Sequence, residues 1–263
     1  MKSEASWRDE YPAWQEWADE CESLLTFLTD GGALERFWPR LCAKAQQRDE
    51  TINEIRVAYF LHLAGYPVVD WEPQDAGGRN LEYAVAISQQ RKMLVEVKSP
   101  GWEAELSESE RVAGRASLPK YRADIIEGGP AGPVQVIRRT VEKARPKFSG
   151  NQPGIVVLSD DCRVNLGEWG WGPLQMALSQ NCVGGYGPGL FHDPKYSVIG
   201  AVCLFRSVSV LGREGIEYHA LCMRNPNAVP TAVVPQEVET LLITRPSEPK
   251  PIGDKLQPNY SRA

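Results

Sequence analysis

Apolar side chains recur at helical spacing through the first quarter of the chain. After that they alternate or run together at strand spacing, and the change of period divides the sequence into elements. Trp14, Trp17, Ala18, Cys21, Leu24, Leu25 and Leu28 make one stripe over residues 11–30, and Asp30-Gly31-Gly32 stops it. A second helix is predicted from Ala33, carrying Leu34, Phe37, Trp38, Leu41 and Ala45. A third spans Thr51 to Ala64, with Ile52, Ile55, Tyr59, Phe60 and Leu63 inward and Gly65 at its end. Its start stays open at this point. Beginning at Thr51, it would use Thr51-x-x-Glu54 as a capping box. Running through from Ala43, it would leave the Glu54 carboxylate free.

Strand patterns follow. Tyr66–Trp71 reads as a first strand, before a polar loop, Glu72–Asn80, whose glycines mark a turn. Leu81–Ile87 and Met93–Lys98 read as paired strands joined by Ser88–Lys92. Trp102–Gly129 is charged and poor in apolar residues, and is expected to be a solvated segment or a flap. Val134–Phe148 predicts an amphipathic helix, and Gly154–Ser159 a strand buried on both faces. Leu174–Asn181 is a short helix, while Tyr196–Arg206 and Gly215–Met223 form a hairpin. Asn225-Pro226-Asn227 closes the ordered part, and the tail after Leu242 is expected to be disordered. This order implies an α/β fold with a mixed sheet.

Composition adds bounds. Hydrophobic residues make up 42% and charged residues 24% of 263, which is ordinary for a globular chain. No apolar run approaches a membrane span, and the first residues do not read as a secretory signal. Six cysteines without a C-x-x-C pair, and three histidines, give no zinc spacing, so a reduced cytoplasmic setting is expected. A net charge of −5 argues against indiscriminate coating of nucleic acid but permits a local basic face.

The candidate chemistry lies in the paired strands. Alternation sends Glu96 and Lys98 to one face and Val95 and Val97 to the other, and Glu82 on the paired strand approaches Glu96 if the register allows. Charged side chains on a strand framed by Leu94, Val95 and Val97 need a reason. Two carboxylates and an ammonium in one patch suit a hard divalent cation beside a basic nitrogen. Asp75 would substitute as an acid if the strand alignment slipped. Arg138, Arg139, Lys143, Arg145 and Lys147 make Val134–Phe148 the most basic stretch, with Arg145 and Lys147 reading as ordinary surface charges near its end.

At these residues the chain resembles the PD-(D/E)XK nuclease superfamily. Glu96-Val97-Lys98 matches the E-x-K element, and Glu82, with thirteen residues between it and Glu96, matches the preceding acid. Glu54 looks like the additional helical acid of many members. Leu81-Glu82 replaces the usual Pro-Asp. The resemblance covers about Thr51 to Leu158 and implies a restriction-endonuclease-like core. It implies Mg²⁺ or Mn²⁺ held by Glu82, Glu96 and the Val97 carbonyl, and catalysis by Glu54, Glu82, Glu96 and Lys98. Gln135, Arg138, Arg139 and Lys143 would contact substrate phosphate. The expected organisation is a helical N-terminal extension over 1–50, a core over 51–160, a C-terminal addition with its β-hairpin over 161–242, and a tail over 243–263. The expected activity is phosphodiester hydrolysis in nucleic acid, DNA ahead of RNA, by an endo- or exonuclease. Self-association or a larger assembly is left open. The alternative is a catalytically inactive nuclease-like fold that binds nucleic acid or protein.

Overall fold

The computed structural model describes residues 14–43, 45–75, 78–99, 133–160, 171–181, 187–209 and 216–242. Three helices come first: α1 (Trp14–Asp30), α2 (Leu34–Leu41) and α3 (Ala45–Leu63). Six strands follow: β1 (Val68–Trp71), β2 (Tyr83–Ala86), β3 (Lys92–Lys98), β4 (Gly154–Asp160), β5 (Ala201–Ser209) and β6 (Ile216–Arg224). They form one mixed sheet in sequence order, antiparallel from β1 to β3, parallel from β3 to β5, and antiparallel again at β6. Parallel neighbours need crossovers. α4 (Pro133–Ala144) lies in the first and α5 (Trp171–Leu178) in the second, and α6 (Gln236–Leu242) follows the last strand.

Alternation sorts the sheet into two faces. Val95 and Val97 of β3, with Ile155 and Val157 of β4, pack against Val57, Phe60 and Leu61 of α3. Leu94, Val156 and Val202 pack the other way, against Ile137 and Val141 of α4 and Leu174 and Leu178 of α5. β4 is therefore covered on both sides, which is why its sequence is continuously apolar. The hairpin β5–β6 continues this sheet and shares both cores. Cys203 and Cys222 face each other in register across it and their sulfurs meet as a disulfide, where the cysteine pattern led to an expectation of reduced thiols.

The structure corrects several element boundaries. α3 starts at Ala45, ahead of Thr51, and the Thr51 hydroxyl donates back to the Gln47 carbonyl at 2.7 Å within the helix. The capping box is therefore not formed, and Glu54 is free for another role. α4 ends at Ala144, short of the expected Phe148. Pro146 has no N–H to give and crowds the preceding turn, so residues Arg145–Lys147 tighten into a 3₁₀ turn. α6 lies beyond Asn227, where order was expected to end, and its Val238 and Leu242 meet one face of the sheet at i and i+4. The charged segment Trp102–Gly129 and the tail 243–263 lie outside the described residues. Among the described residues no helix is long and apolar enough to cross a membrane.

Candidate active site

The site is built at one end of β2 and β3. Tyr83 pairs with Val95 in the antiparallel register, and Glu82 precedes Tyr83, so Glu82 stands opposite Glu96. The backbone around Glu82 is held on both sides: the Leu81 N–H donates to the Pro73 carbonyl at 2.9 Å, and the Glu82 carbonyl accepts from the Glu72 N–H at 2.9 Å. A proline at position 81 would lack that N–H and could not make this bond. Glu96 is fully buried on the α4 side of the sheet, flanked by Leu94 and Lys98. Lys98 spans the two acids, with its Nζ 2.5 Å from Glu96 Oε1 and 3.2 Å from Glu82 Oε1.

A second ammonium enters from a residue read as surface charge. Lys147 Nζ lies 2.6 Å from Glu96 Oε1 and 3.8 Å from Glu82 Oε1. The cause is the 3₁₀ turn. Four residues on in an α-helix, Lys147 would share the exposed side of Lys143; in a 3₁₀ turn it eclipses the residue three before it, the buried Ala144. Pro146 was the signal in the sequence. The turn is then locked. Phe148 is buried against Gly154, where a Cβ would stand 2.6 Å from the ring. Both Asp75 oxygens accept from Ser149, one from its N–H and one from its hydroxyl, each at 2.6 Å. Asp75 thus secures this loop and does not replace a site acid.

Glu54 reaches the same corner from α3. Its Oε1 is 2.5 Å from Arg40 Nη2 on α2. Burial raises its pKa to about 7, with the Glu82 charge adding to the rise and Arg40 and Lys98 opposing it. Burial also raises the Glu96 carboxyl, against the pull of Lys98. For Lys98, burial pushes down, but Glu96 and Glu82 outweigh it and hold the ammonium above the usual lysine range. In this state Lys98 is a cation and not a free base. Beside it, Asn53 Nδ2 donates to the Ser99 hydroxyl at 3.0 Å, tying α3 to the end of β3.

Glu54 has a consequence for stability. Its folded pKa lies above the unfolded value near 4.5, so the folded chain holds the extra proton between those values. Stability from this group is complete below pH 4.5 and is lost as pH rises through 7, by on the order of 3 kcal/mol. Urea unfolding of the wild type and of Glu54→Gln across that range is expected to show a flatter profile for the variant.

The other expected site residues lie apart. Gln135, Arg139 and Lys143 are exposed on α4 and make no ion pair with the carboxylates among the described residues. Arg138 is turned inward, its Nη2 donating to the carbonyls of Met176, Gly187 and Pro188 at 3.2, 3.3 and 3.1 Å, which ties α4 to α5. Val97 sits in the β3–β4 ladder opposite Val157, with its side chain in the core.

The donor set can be weighed for a metal. Among the described residues no group of three or more His, Cys, Asp or Glu side chains is placed to hold one. Two carboxylates do converge, however, since one ammonium touches both, and among the described residues both Glu96 oxygens are buried without a hydrogen-bond partner. Mg²⁺ is commonly held by one or two carboxylates together with waters and substrate phosphate, so the residues present fit that ion. Sequence reasoning missed Lys147, Arg40, Asn53 and Ser99; apart from Pro146, nothing in the sequence around them points to this corner. No family model, no curated protein and no solved structure matches the chain.

Proposed function

We propose that the protein is a divalent-metal-dependent nuclease of restriction-endonuclease-like fold, hydrolysing phosphodiester bonds in nucleic acid. The observation that carries this reading is the meeting of Glu82, Glu96 and Lys98, from two strands, at one partly open corner of the sheet. Glu82 and Glu96 would hold Mg²⁺ or Mn²⁺, with the Val97 carbonyl as a further oxygen. Bound there, the ion supplies Lewis-acid polarisation of the phosphodiester and a lowered pKa for the attacking water.

The chain's own residues do the rest. Lys98, held cationic by its two acids, orients the water and offsets the charge growing on the phosphoryl oxygens. Glu54, with its pKa near neutrality, is suited to exchange a proton with that water. Asn53 steadies Ser99 and so the end of β3 that carries Lys98. Exposed Arg139 and Lys143 offer phosphate contacts along the backbone of a bound strand.

The second reading, a nuclease-like module that binds without cutting, is favoured by one observation. Two ammoniums already neutralise Glu82 and Glu96, and among the described residues no group of three acids is placed to hold a metal. One assay separates the two. Plasmid DNA, single-stranded DNA and RNA are incubated with Mg²⁺ or Mn²⁺ and with chelator, using the wild type and Glu96→Gln. Metal-dependent cutting that Glu96→Gln abolishes supports the enzyme. Binding without cutting, and without metal uptake by calorimetry, supports the module.

A further inference from the structure

Glu96 carries more positive charge than one lysine of an E-x-K pair can supply. Lys98 and Lys147 both lie within 2.6 Å of the same oxygen, Oε1, as ion pairs, and neither Glu96 oxygen has a hydrogen-bond partner among the described residues. Both amines also reach toward Glu82, at 3.2 and 3.8 Å. The two ammoniums balance the two carboxylates at this end of β2 and β3. A dication joining this corner would leave two positive charges uncompensated in a largely buried volume, which is costly. Entry therefore requires an ammonium to leave, and a leaving ammonium needs a new anion. The two amines are not equally free to move. Lys98 donates a hydrogen bond to Glu82 at 3.2 Å from a strand inside the sheet, whereas Lys147, at the last position of a short turn, stands 3.8 Å from that acid; the two side chains are similarly exposed, at 29% and 23%.

We propose that Lys147 is a substrate-phosphate-binding residue that serves as the counter-ion of Glu96 in the metal-free protein and transfers to a phosphate of the substrate when a divalent cation takes its place. The proposal rests on the nuclease reading of this site and adds to it a coupling. The cation and the polyanion bind with positive cooperativity, because each removes the charge penalty that the other creates, and linkage makes the effect reciprocal. No bond is made or broken in the exchange, and both amines remain protonated.

The test is calorimetric titration of Ca²⁺, a hard oxygen-seeking probe, into the wild type, Lys147→Met and Lys147→Gln. Each is titrated alone, with a short DNA duplex and with a single-stranded RNA, and thermal melts check that each variant is folded. The wild type is expected to take up Ca²⁺ weakly alone and about tenfold or more tightly with whichever nucleic acid it binds. Both variants should bind Ca²⁺ alone about tenfold more tightly than the wild type, gain less from nucleic acid, and bind nucleic acid more weakly in the presence of Ca²⁺. Lys195→Met, which removes an exposed ammonium paired with Asp193, should leave Ca²⁺ affinity where it was. Folded variants of position 147 with unchanged or weakened Ca²⁺ affinity, or with undiminished coupling, would overturn the role of Lys147 and leave the metal site standing. Absence of Ca²⁺ uptake by every protein, with and without nucleic acid, would overturn both this exchange and the nuclease reading beneath it.

Discussion

Lys98→Met is expected to lower metal-dependent cleavage by about 10²–10⁴-fold, the range for losing a positioned catalytic proton-transfer or charge-stabilising group. Methionine keeps most of the side-chain length and removes the charge, so packing along β3 changes little. The chain keeps a cation on Glu96 in this variant, because Lys147 lies 2.6 Å from the same oxygen. Stability should accordingly fall by less than truncation of a lone buried ion pair would cost. Metal binding is expected to survive or to tighten, since one competing ammonium has gone. That split distinguishes a group acting on the reacting phosphate from one that merely supports the fold. Single-turnover cleavage at saturating Mg²⁺, set beside calorimetry of the same preparation, reads both halves. Cleavage unaltered by Lys98→Met would mean that the chemistry happens elsewhere in the chain.

Strand and helix periods carried the outline of this molecule because burial on one or two faces leaves a regular mark. β4 is covered by α3 on one side and α4 on the other, and its run Ile155-Val156-Val157-Leu158 advertises that directly. Glu82 and Glu96 were legible as partners for a related reason: strand alternation and a short turn leave few registers, and Tyr83 opposite Val95 is one of them. Lys147 escaped because a helical period was extended through Pro146, and that extension points the side chain to solvent. Glu54 depended on where α3 begins, and the capping pattern at Thr51 fitted either answer. Arg40 and Glu20 could not be read at all, because their partners are distant in the chain and only the packing of α1 and α2 against α3 brings them together. Local pattern records which face of an element is buried, and it holds no record of which polar group on another element will meet it.

The largest loss of stability is expected at a residue outside the carboxylate corner. Arg56, on α3, is 7% exposed and grips Glu20 of α1 through Nε, 2.9 and 3.0 Å from its two carboxylate oxygens, and through Nη2 at 2.6 Å. The Tyr218 hydroxyl of β6 donates to Glu20 Oε1 at 2.9 Å, and the guanidinium lies 5.0 Å from the centre of the Trp17 ring. Arg56→Met leaves the Glu20 carboxylate in the interior with that hydroxyl in place of a fork of charged donors. Removing one partner of a buried pair in this way costs about 3–5 kcal/mol, and urea unfolding should record it. Glu20→Gln in the same chain is expected to restore part of the loss, because it removes the stranded charge and keeps an acceptor for Tyr218; a double-mutant cycle measures the difference. Effects should also reach the corner. Arg56 Nη1 lies 3.4 Å from Asn53 Oδ1, and the other end of that amide donates to Ser99, the neighbour of Lys98. Arg56→Met is therefore expected to lower cleavage under conditions where the variant is still folded, whereas a loss of stability alone would leave the folded fraction cutting at the wild-type rate. Burial makes Glu20 and Arg56 costly to separate, and the Asn53 amide extends their hold on α3 to the strand that carries Lys98.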